Sequence, residues 1–270
     1  MGLAILSDTN FIGDLPVYGD IVAVNDLKVG VRASGLDNFI DLSNLDHTLT
    51  NVGCTLSPML QRATHVGAVT TNYQATSNAF TMYSVVRHSI DAGKAYKHDV
   101  GSNFVDSSTG GCGVRVYQGS IGGGLFRITA RAMLARKVIS TGLLSSFYID
   151  LILLDNLASV PSQLPWYVLA LQFDPVAKIY RLSELTMGLS TTFDPSNVLW
   201  SQSSLIYADR NAPGFDPTYR LLVDGISTYS GQTLLPEHFC WNRALTNAEL
   251  TEQLAYSRSF MLNARGVTLP

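Results

Sequence analysis

Residues 239 to 250, Phe-Cys-Trp-Asn-Arg-Ala-Leu-Thr-Asn-Ala-Glu-Leu, end a strand and begin a helix within a few positions. Thr246 carries the short hydroxyl that caps a helix N-terminus. Glu249 stands three residues on, where its carboxylate reaches back to the Thr246 amide. Leu245 before the cap and Leu250 at the fourth helical position form a hydrophobic staple. Glu249 and Glu252 put negative charge where the helix dipole is positive. The helix runs from about Asn247 toward Leu262, with Leu250, Leu254, Ser257 and Met261 along one face and Gly266 as its stop. Thr233 to Trp241 reads as the last strand, with Pro236 marking an edge or a bulge.

Upstream of this clasp the chain reads as strands. Phe80 to Arg87 is rich in β-branched and aromatic residues. Val114–Tyr117 and Leu125–Ala132 alternate apolar with polar, the period of a strand with one wet face. The alternation continues through Ala130–Lys137, so that segment also reads as strand. Phe147 to Leu154 is apolar at almost every position and predicts a central strand of a sandwich. Trp166 to Phe173 is another strand. Gly119 and Gly122–Gly124 predict a flexible loop, as do Gly110–Gly113. Phe-Asp-Pro recurs at 173–175, 193–195 and 215–217. In each, an Asp that bonds the backbone beyond it and a Pro that fixes φ make a strand-to-turn exit.

Residues 1–35 form an N-terminal extension. Ile21–Val24 and Lys28–Val31 are short strand candidates across an Asn25-Asp26 turn. They read either as an arm that pairs with a neighbouring subunit or as a first hairpin of the same domain. No linker divides the rest of the chain of 270 residues.

Charged residues make up only 14% of the chain, against 46% hydrophobic. A quarter or so is usual for soluble domains, and so low a content suits a surface packed against other protein. The net charge of −3 argues against a nucleic-acid partner, which needs clustered Lys and Arg. No stretch approaches the ~20 apolar residues of a membrane span, so no membrane insertion is expected. The N-terminus lacks the basic region of a signal peptide. Cys54, Cys112 and Cys240 are odd in number and lack metal-binding spacing, which predicts buried, reduced thiols and folding in a reducing cytoplasm.

Taken together, these stretches resemble the concanavalin A-like, laminin-G-like jelly rolls. Trp241-Asn242-Arg243-Ala244-Leu245-Thr246-Asn247-Ala248-Glu249-Leu250 is similar to the family's terminal Asn-Arg-Ala-Leu-Ser/Thr-x-x-Glu signature. Asp41-Leu42-Ser43-Asn44-Leu45-Asp46-His47 resembles an early Asp-Leu-Ser loop of the family, with its glycines replaced. Ala79–Met82 and Leu171–Asp174 followed by Lys178–Tyr180 resemble two further strands in the same order. The resemblance covers roughly residues 36–256. It implies an all-β, two-sheet antiparallel jelly-roll sandwich, here with a C-terminal α-helix and the N-terminal extension. Residues 257–270 are then the helix end and tail. Such domains serve as sugar binders, adhesion modules or structural parts.

Catalytic signatures are missing from the sequence. Jelly-roll glycosidases carry a Glu-x-Asp-x-Glu strand, and none of Glu184, Glu237, Glu249 and Glu252 forms one. There is no Gly-x-Ser-x-Gly elbow and no phosphate loop. The chain is therefore expected not to be an enzyme, and to need no cofactor. One metal set stands as a candidate: Asp41, Asn44 and Asp46 offer loop oxygens of the kind calcium takes. Tyr207, Tyr219 and Tyr229 lie near loops and are the candidate sugar-stacking residues. His238 is expected to face one side of the last strand as a structural residue.

An extracellular type of fold, without a signal peptide or disulfides, fits a bacteriophage virion protein assembled in the host cytoplasm. Tail, baseplate, fibre or capsid decoration are the expected positions, with other virion proteins, a symmetric homo-oligomer and a host surface glycan as partners. The alternative is a lectin-like carbohydrate-binding module of a bacterial secreted or cell-surface protein.

Overall fold

The computed structural model describes residues 21–32, 42–43, 49–52, 54, 60–63, 68–74, 79–90, 97–102, 112–197, 199–205, 218–221 and 231–270. They form two antiparallel sheets, a single-turn helix α1 (Leu199–Gln202) and a long C-terminal helix. Sheet A runs β1 (Leu27–Arg32), β15 (Gln232–Trp241), β5 (Phe80–Ser89), β10 (Gln163–Asp174), β11 (Ile179–Glu184), β12 (Leu189–Thr192), with β3 (Leu60–Ala63) also on β15. Sheet B runs β13 (Ser203–Leu205), β8 (Leu125–Val138), β7 (Cys112–Gly122), β6 (Lys97–Ser102), β14 (Thr218–Leu221), β4 (Ala68–Gln74), β2 (Leu49–Val52). A long strand, β9 (Leu144–Leu157), pairs with β8. The fold is the all-β jelly-roll sandwich that the sequence predicts.

The main core lies between the sheets. Met82, Val86, Leu169, Leu171, Phe173 and Cys240 of sheet A meet Val114, Val116, Ile128, Ala130, Leu134 and Leu151 of sheet B. A second core lies on the outer side of sheet A. There Tyr83, Val85, Trp166, Val168, Phe239 and Trp241 are covered by Leu250, Leu254, Phe260 and Met261 of helix α2 (Asn247–Arg265). Sheet A is thus buried on both faces, which is why β5 and β10 carry apolar side chains at successive positions. All three cysteines are buried and none is in a disulfide.

The clasp is formed as its sequence dictates. Thr246 accepts from the Glu249 amide and Glu249 accepts from the Thr246 amide, closing the capping box. Leu245 and Leu250 are both buried in the outer core. Arg243 bridges Asp26 and Glu249 and pulls the Glu249 carboxylate down to about 2. Gly266 takes the left-handed conformation at φ 63° and ends the helix.

Residues 21–32 are tied to this clasp. The Trp241 indole donates to the Val22 carbonyl, and the Val22 amide donates to Gln253. The Ile21–Val24 strand expected from sequence is absent: Ala23 sits at φ 47° and Val24–Asp26 coil into a 3-10 turn. Lys28–Val31 does form strand, within β1 at the edge of sheet A.

Two further expectations are corrected, and the choice left open at Pro236 is decided. Phe147–Leu154 is not a central strand; among the described residues β9 pairs with β8 alone, and Tyr148, Asp150 and Ile152 face water. Pro236 marks a bulge, not an edge. β15 is flanked by β1 and β3 on one side and β5 on the other, with its register shifting between Leu234 and Glu237. The Gly122–Gly124 stretch is a tight hairpin turn, with Gly123 and Gly124 at φ 62° and 77°. That is the double positive φ of a type I′ turn, which suits the strand twist. The Phe-Asp-Pro exits form as expected at two places. Asp174 accepts from the Val176 and Ala177 amides, and Asp194 accepts from the Ser196 amide. The third, at 215–217, lies outside the described residues.

Candidate functional site

The outer face of sheet B has no helix over it among the described residues. The Gly123-Gly124 turn fixes the register of β7 and β8, and β9 continues the ladder. Tyr117 lies across from Thr129, and Thr129 across from Ile152. One rung along, Arg115 faces Arg131 and Arg131 faces Asp150; beyond them Met133 faces Tyr148. Ile128, Ala130, Ala132 and Leu134 point into the core, so the residues between them point outward.

Two arginine–aspartate pairs organise this face. The Arg131 guanidinium donates to both carboxylate oxygens of Asp150, at 2.7 Å each. It also donates to the Tyr117 hydroxyl at 2.9 Å, and it stands 4.0 Å from the Tyr148 ring centre and 4.9 Å from that of Tyr117. A cation between two aromatic rings is held by its carboxylate in the plane and by the ring quadrupoles above and below. Arg115 opposite Arg131 is a like-charge neighbour, which Asp150 offsets. Further along, Arg127 grips Asp155 through two bonds of 2.9 and 3.0 Å and draws its carboxyl below the usual range. Burial raises the Tyr117 hydroxyl. Tyr148 is 54% exposed and Ile152 41%, large values for side chains of this size in a long strand.

Among the described residues, Glu237, Glu184 and His238 have structural roles. Glu237 is fully buried and paired with Arg32 at 2.6 Å, beneath Phe239 and Phe260. Glu184 accepts from the Val168 and Met187 amides and the Thr186 hydroxyl, tying a turn. His238 is buried against Ser84, and burial pulls its imidazole down to about 3. It fills the structural role expected of it on β15.

The residues that sequence selects fall elsewhere. Asp41, Asn44 and Asp46, Tyr207 and Tyr229 lie outside the described residues. Tyr219 lies in β14, whose backbone pairs with β4 and β6. Among the described residues no three His, Cys, Asp or Glu gather as a metal site, and no helix is long and apolar enough to cross a membrane. Tyr117, Arg131, Tyr148 and Asp150 escape the sequence reading. The one signal for them is Asp150 itself, a charge in an apolar run, which marks one face of β9 as wet.

The sequence matches no protein-family model and no curated protein sequence. The fold does match solved structures, and it places the chain in the class of β-sandwich, jelly-roll-like domains found in botulinum neurotoxin receptor-binding domains. A serotype D binding domain superposes with a TM-score of 0.55 at 8% identity, over 88% of this chain and 52% of that one. A serotype D ligand-binding domain in complex with N-acetylneuraminic acid gives 0.54 at 9%, over 87% and 51%. A botulinum neurotoxin type C structure, described with two ganglioside molecules, gives 0.53 at 9%, over 87% and 51%. The chain spans about half the length of these structures.

Proposed function

We propose that this chain is a carbohydrate-binding module that takes a glycan on the outer face of sheet B. The observation that carries the reading is Tyr148, half exposed beside the two-pronged Arg131–Asp150 pair. A sugar ring needs an apolar plate for its C–H face and fixed donors and acceptors for its hydroxyls. Tyr148 and Ile152 supply the first, Arg131 and Asp150 the second. Two of the structurally similar proteins are described with sugars, gangliosides and N-acetylneuraminic acid, which supports carbohydrate as the class of ligand and leaves its charge open. The reading is non-catalytic. It fits a sequence that has no Glu-x-Asp-x-Glu strand of the jelly-roll glycosidases. Glycan-array binding by the full chain tests the proposal; binding that Tyr148→Ala leaves unchanged would reject this face.

A virion setting is the second reading, favoured by three buried cysteines outside any disulfide and a charged content of 14%. It supplies a reducing site of assembly and a surface suited to protein contacts. A symmetric oligomer and co-purification with tail or capsid proteins are its expected marks. A stable monomer with no affinity for any virion part would count against it.

A further inference from the structure

We infer that the ligand is the interior of a neutral, linear glycan chain, not an acidic sugar and not a chain end. This rests on the carbohydrate reading above. The first ground is charge. Each arginine of the two pairs is already gripped by its own carboxylate through two bonds. To pair with Arg127 or Arg131, a sialic acid or uronate carboxylate would have to displace Asp155 or Asp150. The displaced carboxylate would then lie beside the incoming one, a like-charge contact that opposes binding. Neutral hydroxyls meet no such opposition. An ionised carboxylate that accepts two bonds keeps further lone pairs for hydroxyl donors. The Arg131 Nη1 takes no part in the bonds to Asp150 and Tyr117.

The second ground is shape. The exposed side chains along β8 and β9 alternate in character: the Arg127–Asp155 pair, then Ile152 beside a buried Thr129, then the Arg131–Asp150 pair, then Tyr148 beside a buried Met133. Arg127 and Arg131 are four residues apart, roughly 13 Å along the strand at ~3.3 Å per residue. That span exceeds one sugar ring, so a single sugar cannot touch both pairs. Gly119 lies across from Arg127 on β7, and a side chain placed there would meet only the edge of Tyr117 at 3.8 Å. Among the described residues, Ile152, Arg131, Asp150 and Tyr148 are therefore set in a line along β8 and β9, with room at Gly119 beside Arg127, and a chain can follow that line.

The test is titration calorimetry of the full chain. The probes are neutral hexose oligosaccharides of two to six units (β-glucan, mannan and galactan series), with oligogalacturonate and sialyllactose alongside. Affinity is expected to rise from the disaccharide to the tetrasaccharide and then level off. Tyr148→Ala should weaken the tetrasaccharide about tenfold, the scale of losing one aromatic contact. Tyr148→Phe should retain binding within about twofold, since the ring and not the hydroxyl makes the plate. Arg127→Ala should weaken tetrasaccharide but not disaccharide binding. Thermal melting of each variant confirms that it is folded. Preference for the acidic probes overturns the neutral-chain inference and leaves the carbohydrate reading standing. Equal affinity for disaccharide and hexasaccharide overturns the chain part. Binding to no probe overturns both.

Discussion

Sheet A carries an arginine–glutamate pair on its outer face and sheet B an arginine–aspartate pair on its own, and the surroundings differ completely. Arg32 and Glu237 are 1% and 0% exposed beneath helix α2, with Phe239 and Phe260 over the guanidinium. Arg131 and Asp150 are 29% and 36% exposed, with Tyr117 and Tyr148 over the guanidinium. The motif is the same, a cation between aromatic rings and beside a carboxylate. Where α2 excludes water, the pair is a structural commitment, because either partner alone would be a buried charge. Where no helix covers the sheet among the described residues, the same motif is part-exposed and costs little to break. The helix therefore decides which of the two pairs holds the fold, and the other lies on the face proposed to bind.

Breaking the buried pair should have the largest effect. Glu237→Gln leaves Arg32 uncompensated under the helix and is expected to cost about 3–5 kcal/mol in urea unfolding. A loss below about 1 kcal/mol would mean that water reaches this face, and the contrast between the faces would fall. Acid should act next, through the inner core. His238 is neutral in the fold because burial pulls it to about 3. In the unfolded chain it titrates near 6.5. Above that pH neither state binds the proton, and the stability is fully present. Below it the unfolded state gains a proton that the fold refuses, so stability falls as pH drops toward 3. Between pH 7 and 5 the loss should be about 2 kcal/mol, and it should be absent in His238→Asn.

The helix that creates the contrast depends on its cap. Glu249→Ala removes half of the capping box and the Arg243 contact, and should cost about 1 kcal/mol. A change of a few tenths or less would remove the capping box as an explanation of where α2 begins. The smallest stability effect should come from the open face. Arg131→Ala is expected to change unfolding free energy by no more than about 1 kcal/mol. The same variant should lose most glycan affinity, so calorimetric binding and urea unfolding should move independently on sheet B. On sheet A, disruption of the pair should show first as unfolding.

Much of the frame was legible in the residues. The start of α2 was readable from Thr246, Glu249 and the Leu245–Leu250 staple because capping is local chemistry within four positions. The strand character of β8 followed from its unbroken alternation, and the two Asp-Pro exits from side chains that bond their own backbone. The site was less legible. Tyr148 and Asp150 sit in a run that reads as apolar on both faces, because Tyr148 and Ile152 are large and apolar whether or not water reaches them. Pro236 is ambiguous for a similar reason: a missing amide suits an edge or a bulge, and only the neighbours of β15 choose between them.

The sequence by itself determined local geometry: where strands alternate, where chains turn and where the last helix is capped. Each of these depends on contacts within a few residues. Tertiary structure alone decided which outer face is covered and which is open. That depends on α2 folding back across Tyr83, Phe239 and Trp241, contacts between residues more than a hundred and fifty positions apart in the case of Tyr83 and Ser257. It also paired Arg131 with Asp150 across the β8–β9 hairpin while Arg32 met Glu237 from opposite ends of the chain. Burial is a property of what packs on top, and no single stretch of sequence carries it.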